Sequence, residues 1–227
     1  MKTIAIMQPY FLPYIGYFQL INAVDEFVVY DNIQYTKKGW INRNRYLKNG
    51  KDAMFSLPLK KASDYSDVRD RQLADCFDKK KLLNQIRASY QKAPYFDQVF
   101  DLFCSIVNYS ELNLFNYVFY SIEMLCDHLG LTTKLLISSS LDIDNALKAQ
   151  EKVIAICNRL GAERYINVVG GKNLYATETF NNAGIELLFM EPKRTEYKQF
   201  DNHFMPWLSI LDVLMFNSVD SIREQLT

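Results

Sequence analysis

Residues 3–31 read TIAIMQPYFLPYIGYFQLINAVDEFVVYD, and the fold class follows from this stretch. Thr3 to Met7 is a short apolar run, Pro9 to Pro13 a loop punctuated by prolines, Ile15 to Val24 a helical stretch, and Phe27 to Tyr30 a second apolar run. A strand covered on both faces is apolar at nearly every position instead of at every other one. Ile4-Ala5-Ile6-Met7 and Phe27-Val28-Val29-Tyr30 have that character, so the pattern predicts a β-α-β unit in a parallel sheet. Each run ends in a polar residue, Gln8 or Asp31. Ligands of open parallel sheets bind beyond the carboxyl ends of the strands, so both residues fall where a site is expected.

The alternation returns in the last third of the chain. A strand is predicted from Lys134 to Ser138, a helix from Asn145 to Leu160 closed by Gly161, a strand from Arg164 to Val169, a helix from Ala176 to Asn182 and a strand from Ile185 to Met190. The tail reads as an amphipathic helix from Leu208 onward, laid on one side of the sheet. Between the two α/β portions, residues 35–61 carry Lys37, Lys38, Arg43, Arg45, Lys48, Lys51, Lys60 and Lys61 against the single acid Asp52. Asn49-Gly50 within this segment is a two-residue hairpin signal, which predicts a basic β-ribbon. Residues 78–130 then give three helices: Lys79 to Gln91 after the Asp78 cap, Pro94 to Val107, and Asn113 to Leu129 ended by Gly130. Their acids, Asp97, Asp101, Glu111, Glu123 and Asp127, form either a solvated face or one that packs near the ribbon. The predicted architecture is a single α/β domain over residues 1–227: a mostly parallel Rossmann-like sheet with a basic β-ribbon and a helical insertion.

Composition narrows function. The 227 residues hold 26 basic and 26 acidic side chains, so nucleic-acid binding driven by bulk positive charge is disfavoured. Sparse Gly and Pro (8 and 6) with 14% aromatics argue against disorder and repeat architectures. Cys76, Cys104, Cys126 and Cys157 form no Cys-x-x-Cys pair or Cys/His cluster, so no metal site is expected; they read as small buried groups kept reduced in the cytoplasm. Residues 3–24 are uncharged, but Gln8, Pro9, Pro13, Gln19 and Asn22 interrupt them, so neither a membrane span nor an export signal is expected.

The familiar catalytic signatures are missing: no G-x-S-x-G, P-loop, G-x-G-x-x-G or H-E-x-x-H occurs. His128, near Gly130, reads as a helix C-terminal group, which leaves His203 as the candidate imidazole. Tyr14-Ile15-Gly16-Tyr17 has the spacing of the H-x-G-H motif of nucleotidyltransferases and class I synthetase-like enzymes, with Tyr in place of His. Gly16 at a helix start is either a phosphate approach or part of an aromatic packing turn. Residues 31–45 concentrate Asp31, Gln34, Lys38, Trp40, Asn42, Arg43 and Asn44 where the chain leaves a buried strand. Such a set suits a polar anionic ligand, Arg supplying a planar donor fork and Trp40 a stacking face; the plainer reading is a solvated hairpin with Trp40 in the core. Gly170-Gly171-Lys172 follows a predicted strand and is either an anion-binding turn or an ordinary one. Asp212, among apolar neighbours, is either a hydrogen-bonded structural carboxylate or a general base.

Taken together, Gln8-Pro9, Leu12-Pro13, Gly16, Phe18, Asp31, Gln34, Asn42-Arg43-Asn44, Gly170-Gly171, Tyr197 and the run Phe204, Pro206, Leu208, Ser209 and Asp212 resemble the WbqC-like protein family over nearly the whole chain. Many members carry His before the Gln-Pro pair, where this chain has Met7. The resemblance implies work in bacterial surface-polysaccharide clusters, O-antigen especially, and transfer of glycine or a similar group onto an amino sugar. The expectation is a cytoplasmic transferase or ATP-dependent amide ligase acting on a nucleotide-linked sugar, with ATP and Mg²⁺ as possible cofactors. In it Asp31 or Asp212 is the base, Arg43 and Lys172 hold negative charge, and the diphosphate lies near Gly16, the ribbon and Gly170-Gly171-Lys172. The alternative is a noncatalytic nucleotide-sugar or carbohydrate binding subunit of a biosynthetic complex.

Overall fold

The computed structural model describes residues 1–144, 146–201 and 203–227. Five strands, β1 (Thr3–Met7), β2 (Glu26–Val29), β3 (Arg43–Lys48), β4 (Lys51–Ser56) and β5 (Lys134–Ile137), are followed by β6 (Arg164–Val168) and β7 (Glu186–Met190). Five of the seven make one parallel sheet in the order β5-β2-β1-β6-β7. The chain runs outward from β1 to β5, then crosses back to the other side of β1 and continues to β7. The order therefore reverses between β1 and β6, the topological switch point at which open α/β sheets hold their ligands.

Side chains alternate across this sheet and divide its two cores. Ala5, Phe27 and Val29 face one core, while Ile4, Ile6, Val28, Tyr165 and Leu187 face the other. Both cores are apolar, which is why β1 and β2 look continuously hydrophobic in sequence. The first core is covered by α1 (Ile15–Asn22), the ribbon, α2 (Lys79–Tyr90), α3 (Phe96–Asn108) and α4 (Leu114–Leu129). The second is covered by α5 (Ala149–Leu160) and α6 (Thr177–Asn182). Asn145, where the helix was expected to begin, lies outside the described residues.

β3 and β4 pair antiparallel about Asn49-Gly50, whose φ values of 52° and 72° are those a tight mirror-image turn needs. Much of the ribbon's charge is paired: Lys37 with Asp64 at 2.7 Å, Lys60 with Asp75 at 2.9 Å and Arg45 with Asp52 at 3.4 Å.

Four expectations need correction. The tail is two helices, α7 (Ile210–Phe216) and α8 (Val219–Gln225), because Ser218 caps the second one through Ser221 N–H. The C-terminus of α4 is closed by Gly130 in the left-handed region and by Arg223, whose Nε donates to the Leu129 carbonyl at 2.7 Å; His128 is not the capping group. The Gly170-Gly171-Lys172 turn is part of a 3₁₀ helix, Val169–Leu174. Cys76 is exposed, unlike Cys126 and Cys157. Among the described residues no helix is long and apolar enough to cross a membrane, and no His, Cys, Asp and Glu cluster could hold a metal ion.

Candidate functional site

The carboxyl edge of the sheet opens into a crevice of about 530 Å³. Tyr30, Asn32 and Gln34, which follow β2, form one part of its lining, and Tyr65, Asp67 and Arg69 another. The first turn of α5 with Lys152, and Tyr175 after β6, complete it. α5 is the crossover from β5 to β6, so the switch in strand order is what brings its N-terminus over the ends of the central strands.

Lys152 sets the chemistry of this crevice. Its residue is only 6% exposed although its ammonium lines the cavity. Nζ donates to the Asn32 carbonyl at 3.2 Å and stands 5.1 Å from the centre of the Tyr30 ring, a cation–π distance. It makes no salt bridge with any described residue; burial lowers its pKa, with Asp67 and Asp31 pulling the other way and Arg69 reinforcing the fall. A helix whose apolar stripe contains Val153, Ile156 and Cys157 places Lys152 on the same buried face, because the backbone turns 100° per residue.

Other groups add to the positive field. The N-cap residue of α5, Lys148, makes no side-chain cap hydrogen bond, and the first turn of the helix lines the crevice, where its amides favour negative charge. Gln150 Oε1 accepts from Ala176 N–H at 2.6 Å and ties that turn to the segment after β6. Arg69 and Asp67 face each other loosely at 3.8 Å on the opposite wall. The Tyr30 phenol is pushed up to about 12, chiefly by burial and then by Tyr175, Asp67 and Asp31, so it is a hydrogen-bond donor at neutral pH. The crevice thus offers cationic and N–H donors on one side and a carboxylate on the other, an arrangement that binds an anion and can take a proton.

Of the residues singled out in sequence, Gln34 lines this crevice, and its Nε2 donates to the Asp64 carbonyl at 2.8 Å. Asp31 lies beside it but is 2% exposed. Its Oδ1 accepts from Ser138 Oγ at 2.8 Å and Ser139 N–H at 2.9 Å, which clips the ends of β2 and β5 together. Asp212 is fully buried on α7 and accepts from Tyr90 Oη (2.7 Å), Tyr197 Oη (2.7 Å) and Gln199 Nε2 (2.6 Å). Burial raises its pKa, and the three hydrogen bonds oppose that rise without cancelling it. It lines neither the crevice nor the pocket described next. His203, Lys38 and Lys172 are exposed. Arg43 donates from Nε to the Gly39 carbonyl at 2.9 Å.

A second cluster gathers Tyr14, Trp40 and Asn44. With Tyr10, Pro13, Arg45 and Trp207 they line a pocket of about 270 Å³. Asn44 Nδ2 donates to the Phe11 and Leu12 carbonyls at 3.2 and 2.7 Å, so it pins the ribbon to the loop after β1. Asn42 similarly bridges Tyr35 Oη and the Leu57 carbonyl, both at 2.8 Å. Tyr17 is buried and donates to the Gln8 carbonyl at 3.0 Å; Gln8 Oε1 faces Tyr10 Oη at 3.5 Å. A Cβ on Gly16 would come within 2.4 Å of the Tyr14 ring. The glycine therefore makes room for that ring, and the ring covers the backbone where a phosphate approach was expected. Asn167 packs over Gly171 in the same way, 2.7 Å from a built Cβ, while Gly170 faces open space.

The family assignment rests on a whole-chain match. The sequence profile of the WbqC-like protein family aligns with residues 8–224. This chain belongs to the WbqC-like family. It is also 29% identical over 222 residues to the uncharacterized protein Rv1507c of Mycobacterium tuberculosis, covering 96% of this chain and 94% of that one. No solved structure matches this WbqC-like chain significantly.

Sequence reasoning missed Lys152, Arg69, Asp67, Tyr30 and Tyr175. Only Lys152 carried a signal, a lysine on the apolar stripe of a helix. The rest are brought together by contacts between separate segments: residues 66–69 pair with the backbone after β2, and Tyr175 follows β6.

Proposed function

We propose that this WbqC-like protein is a group-transfer enzyme of bacterial surface-polysaccharide biosynthesis, O-antigen included. It binds a nucleotide-linked or otherwise phosphorylated sugar at the carboxyl edge of its sheet and moves glycine or a similar group onto an amino sugar. The observation that carries this reading is the buried Lys152 ammonium in the crevice beside the first turn of α5. A phosphate set there pairs the ammonium and takes helix N–H groups. Arg69 reaches a second phosphate, and the protonated Tyr30 phenol donates to a hydroxyl. With glycine activated by ATP as its adenylate, pyrophosphate having left, the amino-sugar nitrogen attacks the glycyl carbonyl, the C–N bond forms, the bond to AMP breaks, and Asp67 takes the amine proton. The version that starts from free glycine needs ATP and Mg²⁺ for activation, and glycine-stimulated ATP/pyrophosphate exchange reads that step directly.

The noncatalytic alternative is favoured by one observation: the carboxylates of Asp31 and Asp212 are committed to internal hydrogen bonds, which leaves Asp67 as the carboxylate in the crevice. Asp67→Asn separates the readings. Thermal shift with nucleotide-sugars and nucleoside diphosphates measures binding, and mass spectrometry of an amino-sugar acceptor, incubated with glycine, ATP and Mg²⁺, detects addition of one glycyl group. An enzyme loses turnover in Asp67→Asn and keeps its thermal shift; a binding module shows the shift in both proteins and turnover in neither. No shift with any phosphorylated ligand defeats both.

A further inference from the structure

We infer that the pocket between the loop after β1, the start of the ribbon and residues 204–209 is a separate stacking site for a hexopyranose ring. Its walls are Tyr10, Tyr14, Trp40 and Trp207, with Arg45 at one side. Both indoles are unusually open for their size: Trp40 is 37% exposed and Trp207 46%. Exposed aromatic rings around one concavity leave apolar faces in water, and a ligand with matching C–H faces removes that cost.

The rings are held by a rigid frame. Trp207 takes φ 61°, a left-handed conformation that a bulky residue adopts only when its surroundings impose it. Here they do: Arg45 Nη2 donates to the Trp207 carbonyl at 3.0 Å, Ser209 N–H donates to the Arg45 carbonyl at 2.9 Å, and Ile210 N–H to the Pro13 carbonyl at 2.8 Å. Leu12, on the facing loop, has φ 47°, and its carbonyl accepts from Asn44 Nδ2 and Ser209 Oγ, both at 2.7 Å. Backbone strain at two points of one loop junction, clamped from three segments, fixes where the indole stands. Arg194, outside the pocket, backs Trp207 with its guanidinium 5.0 Å from the ring.

The shape selects the class of ligand. Tyr14 meets Trp207 edge-on at 62° with centroids 5.7 Å apart, and Arg45 lies 5.5 Å from the Trp40 ring. A planar base stacks on one ring face and leaves the tilted ring beside it uncovered. A pyranose chair presents an apolar C–H face to one ring and hydroxyl edges to the rest, which suits a corner of aromatic walls with a guanidinium among them. This inference does not depend on the crevice at Lys152, because the two cavities share no lining residue.

The chain's two tryptophans, Trp40 and Trp207, both line this pocket, and Trp207 also borders an adjoining cleft with Tyr197 and Phe204, so the Trp40 variants tie the indole signal to this pocket. The full-length protein is titrated with the methyl glycosides of glucose, galactose and N-acetylglucosamine, with uridine and adenosine as comparisons. The expected result is a saturable change in emission with at least one glycoside, with Kd in the millimolar range. Trp40→Phe keeps a stacking ring and binds within a few fold, Trp40→Ala weakens binding at least tenfold, and Lys152→Met titrates like the wild type. Saturation by a nucleoside and by no glycoside overturns the proposal, as does no change with any of the five probes. A fall in glycoside binding caused by Lys152→Met also overturns it, by merging this pocket with the crevice.

Discussion

Replacing Lys152 by Met should cost the protein little or no stability and leave it unable to hold its anion. In the folded protein Lys152 is 6% exposed, and its ammonium has a carbonyl and an aromatic face for company but, among the described residues, no carboxylate in salt-bridge range. Burying a charge costs several kcal/mol, and exchanging buried charges for well-packed apolar groups is neutral or stabilising by about 1–4 kcal/mol. Against that gain stand the hydrogen bond to the Asn32 carbonyl, worth about 1 kcal/mol, and the cation–π contact with Tyr30, worth about 1 kcal/mol. Met occupies the same unbranched path along the Val153–Ile156 stripe. The expected net lies between a loss of about 1 and a gain of about 2 kcal/mol, and for a chain of this size about 1 kcal/mol moves Tm by about 2–4 °C. The pH dependence carries its own sign. Because burial lowers the pKa of Lys152, the unfolded chain holds this proton more tightly than the folded one, so wild-type stability at this group rises with pH. The part of this balance that favours Lys152→Met should therefore be full at neutral pH and shrink as pH rises through the depressed pKa. Circular-dichroism melts of both proteins from pH 7 to 10, without ligand, test the stability arm. Thermal shifts with a nucleoside diphosphate at pH 7 test the binding arm, where the variant should lose at least tenfold in affinity. A Tm more than about 5 °C below wild type at pH 7 would refute the reasoning, since Lys152 would then be a structural group whose cost is already met inside the protein.

Two further outcomes follow from other residues. Asp212→Ala strands two phenols and an amide that each lose a buried acceptor, at about 1–3 kcal/mol apiece, and should unfold the protein or lower its Tm steeply in a thermal melt. Asp212→Asn keeps one acceptor oxygen and turns the other into an NH2 donor, so it loses one or two of these bonds and should melt between wild type and Asp212→Ala with turnover retained; a folded Asp212→Asn protein without turnover would instead make Asp212 a catalytic base. Gly130→Ala meets both a left-handed φ of 67° and Arg223 Nη2 only 2.0 Å from the new Cβ, whereas Gly161→Ala meets a φ of 64° and open space. Urea denaturation should show a loss of about 1–2 kcal/mol for Gly161→Ala and about 1 kcal/mol more for Gly130→Ala, the hydrogen bond from Arg223 to Leu129 being the difference. Equal losses would remove Arg223 from the cap.

What could be read in the sequence were features whose cause is local or periodic. Continuous apolar runs at Ile4–Met7 and Phe27–Tyr30 require cover on both faces, and Asn49-Gly50 requires a tight hairpin. Gly130 and Gly161 mark helix ends because a left-handed residue must stand there. These signals place the parallel sheet, the ribbon and the helices to within a few residues. The exception is the tail, where Ser218 had to be recognised as a cap for α8 to separate from α7.

The candidate sites obeyed different rules. Asp31 drew attention at the end of an apolar run, Asn42 and Asn44 in a polar loop, Tyr17 in its spacing from Tyr14, and Asp212 among apolar neighbours, and in the structure their polar atoms are spent holding segments together. Composition around a residue says that a polar group is buried; it does not say whether its partner is the protein or a ligand, because that partner comes from a distant segment. Asp67 and Arg69 stand beside Tyr30 because the segment carrying them hydrogen-bonds to the backbone after β2, and Lys152 joins them because the crossover from β5 to β6 carries α5 past the ends of β2 and β1. Trp40 and Trp207 meet only because Arg45 and Ser209 join the ribbon to the loop before α7. The sequence by itself determined a parallel α/β fold, since periodicity and turn chemistry act between near neighbours; tertiary structure alone decided which side chains share a cavity, since that depends on strand order and on contacts between residues far apart in the chain.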